Sequence, residues 1–266
     1  MTCELDAVSI CLMRHRQCND RIVEVRLAHK EAGSIASDGL SFEPRLAGRE
    51  SNAIMARILI TSGPTREYLD PVRYLTNGSS GRMGAALATE ALRRGHEVLV
   101  VSGPVQVAYP EAAQVIRVVS TQDMLTACLK AFPDYDGVIA AAAPCDFQPR
   151  AVEKHKISKS GDGLTLDLVQ TPDVIAALGK LKRKDQWTVA FALETQNGLQ
   201  RATEKLRRKN CDLIILNDAS AIDAANNKVQ ILDRNGNATP AQGSKDSVAT
   251  AILDQIELRL MAKSGL

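Results

Sequence analysis

From residue 57 onward, short apolar runs rich in valine, isoleucine and alanine alternate with longer stretches of helical periodicity, and that alternation fixes the class of fold. Strands are expected at 57–61 (RILIT), 96–102 (HEVLVVS), 115–119, 136–142 (DGVIAAA), 164–169, 187–192 and 212–217 (DLIILN). Helices are expected between them. The Ala-rich segment 81–94 ends at Gly95, a good helix stop, and segment 121–132 has Ser120 or Thr121 as its cap. A third helix opens at Thr171-Pro172, a cap followed by proline, and a fourth spans 198–209. Segment 228–233, turned by Arg234-Asn235-Gly236, reads as a hairpin arm, and 247–261 closes as an amphipathic helix. The pattern predicts an α/β, Rossmann-like, mainly parallel sheet with helices on both faces, plus a C-terminal β-hairpin and helix. Ligands of such sheets bind beyond the carboxyl ends of the strands, so the loops after Thr61, Ala142, Ala192 and Asn217 are where chemistry is expected.

Residues 1–54 show no sustained periodicity, and a stretch spotted with Gly, Ser and Pro runs from 33 to 48. They are expected to be an N-terminal appendage, disordered or not translated, with 55–266 as the folded domain. The formal charge of +2 and the 3% aromatic content give no footprint for nucleic acid. No run reaches the ~20 apolar residues of a membrane span. Six cysteines without a CxxC pair or histidine neighbours at ligand spacing suit a reducing cytoplasm.

The loop 62–80 leads into Gly78, Gly81 and Gly84, a GxxGxxG run at a helix opening where backbone N–H groups can approach an anion. The same glycines also serve turns and helix–strand packing. A dinucleotide site is the obvious reading, and three details oppose it. About sixteen residues separate the first strand from the glycines, where the dinucleotide fingerprint is tight. The second strand ends in Val101-Ser102-Gly103-Pro104, without an acidic residue for a ribose. No tyrosine is followed four residues later by lysine.

Other loops carry weaker signals. Asp146 follows the strand 136–142 and suits a pocket for a flat ring, or caps a turn. Lys154, Lys156 and Lys159 beside Gly161 and Gly163 form an anion clamp or a solvated loop. Lys205 and Lys209, four apart on one helix, face an anion or solvent. Phe191, near a strand end, lines a base pocket or packs in the core.

Taken in order, these residues resemble the phosphopantothenate–cysteine ligase family. The match begins with Ile60-Thr61-Ser62-Gly63-Pro64-Thr65-Arg66-Glu67, Asp70-Pro71-Val72-Arg73 and Asn77-Gly78-Ser79-Ser80-Gly81. It continues through the alanine strand ending in Asp146, the lysine loop, Phe191-Ala192-Leu193-Glu194-Thr195, Asn217-Asp218 and Asn226-Asn227, over roughly 57–260. The resemblance implies that 4'-phosphopantothenate and L-cysteine are joined through an acyl-cytidylate made from CTP, with Mg²⁺, in a homodimer and without a flavin.

It further implies a set of site residues. Ala140, Ala141 and Ala142 would offer backbone groups to the cytosine, and Asp146 would serve the nucleotide or the metal. Pro172, Asp173, Val174, Ile175 and Phe191 would line the nucleotide pocket, with Lys205 and Lys209 at the phosphates. Lys156 would stabilise charge as the acyl-cytidylate forms. Asn77 would hold that intermediate, and Asn77, Gly78, Ser79, Ser80 and Gly81 would bind phosphopantothenate. Four positions depart from the family pattern: Ser158 replaces a lysine, Pro144-Cys145 replace Val-Ala, and Arg82 replaces a lysine. The rival readings are an NADP-dependent reductase and a non-catalytic nucleotide-binding module.

Overall fold

In the computed structural model, residues 55–262 are described, apart from 160, 162, 195 and 219–225. The expected N-terminal appendage lies outside the described residues. Eight strands form one sheet: β1 (Arg57–Ser62), β4 (Glu97–Ser102), β5 (Gln114–Arg117), β6 (Gly137–Ala140), β9 (Trp187–Glu194), β10 (Leu213–Asp218), β11 (Asn226–Asp233) and β12 (Ala238–Ser244). Their spatial order is β12-β11-β10-β9-β6-β1-β4-β5. From β10 to β5 every neighbouring pair is parallel, and the β11–β12 hairpin adds antiparallel to β10. The mainly parallel sheet with an appended C-terminal hairpin is thus the one expected from the alternation.

Side-chain alternation assigns each strand residue to one of two cores. Ile58, Ile60, Val98, Val100 and Ile139 face α1 (Arg82–Arg93) and α5 (Lys245–Ile256), which contribute Leu87, Ala88, Ala91, Ile252, Leu253 and Ile256. Leu59, Leu99, Val101 and Val138 face α2 (Thr121–Ala131), α3 (Val174–Leu181) and α4 (Gly198–Arg208), which contribute Met124, Cys128, Leu178, Ala202 and Leu206. Both faces of β1 are therefore dry, which is why its sequence is apolar at consecutive positions. Helix α5 is held to α1 by more than packing. The Arg94 guanidinium donates to Glu90, Asp254 and Glu257 at 2.7–2.9 Å.

Two short hairpin-like pairs stand outside the main sheet: β2 (Arg66–Tyr68) with β3 (Tyr74–Thr76), and β7 (Phe147–Pro149) with β8 (Leu168–Gln170). They correct two expectations. The stretch 62–80 is not one long loop, because it folds back on itself around Asp70. The strand expected at 164–169 is displaced to Leu168–Gln170 and pairs with β7 instead of joining the sheet. With no core to cover it, Leu164 stays 60% exposed. The third helix also starts later than the Thr171-Pro172 signal suggests. Thr171 is held by the preceding loop, its N–H on the Asp146 carbonyl and its hydroxyl on the Cys145 carbonyl. Asp173 caps the helix instead, accepting from the Ala176 N–H at 3.1 Å.

Candidate active site

The chain leaves β1 toward β4 on one side, and later returns to place β6 on the other side of β1. The strand order reverses between β1 and β6, and that reversal opens a crevice at their carboxyl ends. A cleft of about 520 Å³ lies there. Thr61 and Ala140 form its floor, with Ala142 and the loop 144–147 on one wall. Residues 170–175, Phe191, Arg208 and Lys209 complete the lining. Of the residues expected to bind nucleotide, Ala140, Ala142, Asp146, Pro172, Asp173, Val174, Ile175, Phe191 and Lys209 meet in this one cleft.

Ala141 does not, because alternation turns it to the α1/α5 side while Ala140 and Ala142 face the other. The N–H groups of Ala141 and Ala142 are already taken, by the Thr61 carbonyl at 3.1 Å and the Thr61 hydroxyl at 3.3 Å. Ala140 and Ala142 thus line the cleft, and neither Ala141 nor Ala142 offers it a free N–H donor. Phe191 lines the cleft while packing partly against the core.

The two helix lysines part company. Lys209 reaches the cleft and pairs with Asp173 at 3.0 Å. Lys205 turns instead to Glu194, whose side chain is only 5% exposed. Arg208, which the sequence did not single out, lines the cleft beside Lys209. Lys156 lies elsewhere, on a second cleft of about 490 Å³ with Leu69, Arg150, His155 and Leu166.

The glycines divide by purpose. Gly84 is a packing glycine, since a Cβ there would sit 2.2 Å from the Ser62 hydroxyl oxygen. Gly81 caps α1 with φ of 74°, where other residues are strained, and its carbonyl accepts from Ser62 Oγ at 3.1 Å. Gly78 is exposed and meets nothing. Ser79 is half-buried and Ser80 exposed beside it. Asn77 joins this turn to the cleft, its amide nitrogen donating to the Pro144 carbonyl at 2.8 Å.

Beneath the cleft runs a chain of hydrogen bonds that the sequence did not reveal. The Cys145 N–H donates to Thr65 Oγ1 at 2.8 Å, and Thr65 lies 2.8 Å from the Thr121 hydroxyl. The Thr121 hydroxyl and N–H both donate to one oxygen of Glu67, at 2.7 and 2.8 Å. Because the single hydroxyl proton of Thr121 goes to Glu67, Thr65 must donate to Thr121, so the relay runs one way, from Cys145 to the carboxylate. All four residues are buried. The only trace in the sequence is polar residues crowded into a segment that would otherwise read as loop. Burial also pushes the Cys145 thiol pKa upward, which makes it a poor nucleophile.

A mainly parallel, doubly wound sheet with an open cleft at its switch point defines a Rossmann-like α/β domain. The chain belongs to the DNA/pantothenate metabolism flavoprotein C-terminal domain family, whose model matches residues 54–259. It is 40% identical over 202 residues to the coenzyme A biosynthesis bifunctional protein CoaBC of Haemophilus influenzae, covering 75% of this chain and 50% of that protein. The Bacillus subtilis protein of the same name is 46% identical over 165 residues, 62% of this chain and 40% of its own. The chain thus spans about half the length, or less, of these curated relatives. The crystal structure of the C-terminal domain of a CoaBC protein superposes with a TM-score of 0.69 at 39% identity, covering 80% of this chain and all of that domain.

Proposed function

We propose that this domain joins 4'-phosphopantothenate to L-cysteine, using CTP to activate the carboxylate. Its relatives are named for coenzyme A biosynthesis, and the match to a solved C-terminal domain spans that domain's full length. The observation that carries the reading is the convergence of Ala140, Ala142, Asp146, residues 172–175, Phe191 and Lys209 on one cleft at the switch point.

In this reading a carboxylate oxygen of phosphopantothenate attacks the α-phosphorus of CTP. The bond to pyrophosphate breaks and an acyl-cytidylate forms. The cysteine amine then attacks the acyl carbon, CMP leaves, and the amine gives up a proton as the amide forms. The protein's share is orientation and charge. The alanine wall and Phe191 fit a flat base, and Arg208 and Lys209 supply cations on one side of it. Asn77, bridging the glycine turn to Pro144, is placed to hold the mixed anhydride while the amine approaches.

Among the described residues no group of three or more His, Cys, Asp or Glu could hold a metal by itself. Mg²⁺ commonly binds through one or two carboxylates plus substrate phosphates, and the exposed Asp146 on the cleft fits that role. Mg²⁺ held there would help neutralise phosphoryl charge. A homodimer and the choice of CTP belong to the same proposal.

Incubation with phosphopantothenate, varying nucleotide and cysteine, tests the reading. Pyrophosphate should appear with CTP before cysteine is added, and Lys156→Ala should slow that release by about 10²–10³-fold. Absence of pyrophosphate alongside NADPH-dependent absorbance change at 340 nm would favour the reductase. Nucleotide binding without turnover would favour the non-catalytic module.

A further inference from the structure

The lysine segment hangs from one buried carboxylate. Asp70 lies between β2 and β3 with no exposed surface. Its two oxygens do separate work. Oδ1 accepts from the N–H groups of Val72 at 2.7 Å and Arg73 at 2.8 Å, closing the turn. Oδ2 accepts from Arg73 Nη1 at 2.8 Å and from the Ile157 N–H at 3.1 Å. The same Arg73 Nη1 donates to the Ile157 carbonyl at 2.8 Å. Both backbone groups of the residue after Lys156 are therefore held by the Asp70–Arg73 pair. Four residues upstream, the Glu153 N–H donates to the Leu69 carbonyl at 2.9 Å. Among the described residues no other hydrogen bond holds residues 154–159. Burial alone would push the Asp70 pKa up, but the N–H donors of Ile157, Val72 and Arg73 and the Arg73 charge outweigh it and lower it, so the carboxylate stays ionised.

From this division of labour we infer that Asp70 is a positioning residue, fixing the backbone at Ile157 so that Lys156 is presented in one place. The inference rests on the ligase reading for its effect on rate, while the tether itself is independent of it. A lysine on an otherwise untied segment samples many positions, and a displacement of about 1 Å from productive geometry can cost about a hundredfold in rate.

Asp70→Asn separates the two oxygens. A carbonyl oxygen at the Oδ1 position keeps the turn, while an amide NH₂ at the Oδ2 position faces two donors and cannot accept from either. Hydrogen exchange should rise about tenfold or more at the Ile157 amide while Val72 and Arg73 keep their protection. Pyrophosphate release should fall about ten- to a hundredfold in kcat, with KM for the nucleotide changed less than about threefold. Adding the substitution to Lys156→Ala should cost little more, since both act through one side chain. Ile157→Pro removes the same N–H without touching the hairpin, and should reproduce the rate loss if Asp70→Asn folds poorly.

An unchanged rate despite lost Ile157 protection overturns the positioning role and leaves the ligase reading standing. So does full additivity with Lys156→Ala. Loss of protection at Val72 and Arg73 together with Ile157 shows that Asp70 serves only the local fold, and also overturns it. If the wild-type protein releases no pyrophosphate, the ligase reading fails, and an unmoved Ile157 amide in Asp70→Asn would then sink the tether as well.

Discussion

Replacing Glu67 gives the sharpest test of how the cleft is supported. The carboxylate is 4% exposed, and one oxygen takes both the N–H and the hydroxyl of Thr121 at the first turn of α2. Hydrogen bonds to a charged group contribute about 1.5–3 kcal/mol each, and a buried donor left alone costs about 1–3 kcal/mol. Glu67→Ala strands two donors on Thr121, itself fully buried, so a loss of about 3–5 kcal/mol is expected. Glu67→Gln behaves differently because both bonds converge on a single oxygen, which an amide can supply. It loses only charge assistance and the favourable placement of a negative charge at a helix N-terminus, about 1–2 kcal/mol. Trp187, the single tryptophan and 2% exposed, reports urea unfolding of each variant by its fluorescence. The Cys145 amide, at the far end of the relay, should exchange faster in Glu67→Ala than in Glu67→Gln. Equal destabilisation by the two variants, or a loss below about 1 kcal/mol for alanine, would refute the single-acceptor argument.

Asn77→Ala should still release pyrophosphate in the absence of cysteine while making little amide, with acyl-cytidylate detectable by mass spectrometry after an acid quench. Equal loss of both steps would instead assign Asn77 to binding. Glu90, held by the Arg93 guanidinium and then by Arg94, has its pKa lowered from 4.5 to about 2. Its stabilisation is therefore complete above about pH 4.5 and lost as the pH falls through about 2. Allowing for the 67% exposure of Arg93, Glu90→Gln should cost about 1–2 kcal/mol at pH 7, and the gap should narrow steadily below pH 4.5 in thermal unfolding.

What the sequence revealed and what it hid follow from the range of the interactions. Strands such as 57–61 and 212–217 declare themselves because burial on both faces demands apolar side chains at consecutive central positions. The wall of the cleft was legible for a related reason, since small residues at the end of β6 and an acid just beyond it can be placed from local pattern alone. Ala141 faces away from Ala140 and Ala142 because a one-residue shift along a strand reverses the face, and the run of alanines carries no marker of phase. The pairing of Lys205 with Glu194, at the end of the preceding strand, was not legible from helix spacing. The relay from Cys145 to Glu67 and the Asp70 tether join residues 54 to 87 positions apart. Polar groups satisfied at that range leave no periodic trace.

The junction of α1 with α5 imposes an order on synthesis. Leu87, Ala88 and Ala91 of α1 share one core with Ile252, Leu253 and Ile256 of α5, and Arg94 spans a separation of 160 residues to reach Asp254. A chain emerging from the ribosome has made α1 and β1 long before their cover exists. Until residues 245–256 are released, one side of the nascent sheet has no partner and presents a sticky apolar surface to its surroundings. Early strands can pair, but that face of the sheet closes only after α5 has been made. Pauses or chaperone occupancy while residues 95–256 are being made therefore bear on the yield of folded protein more than events at the start of the sheet.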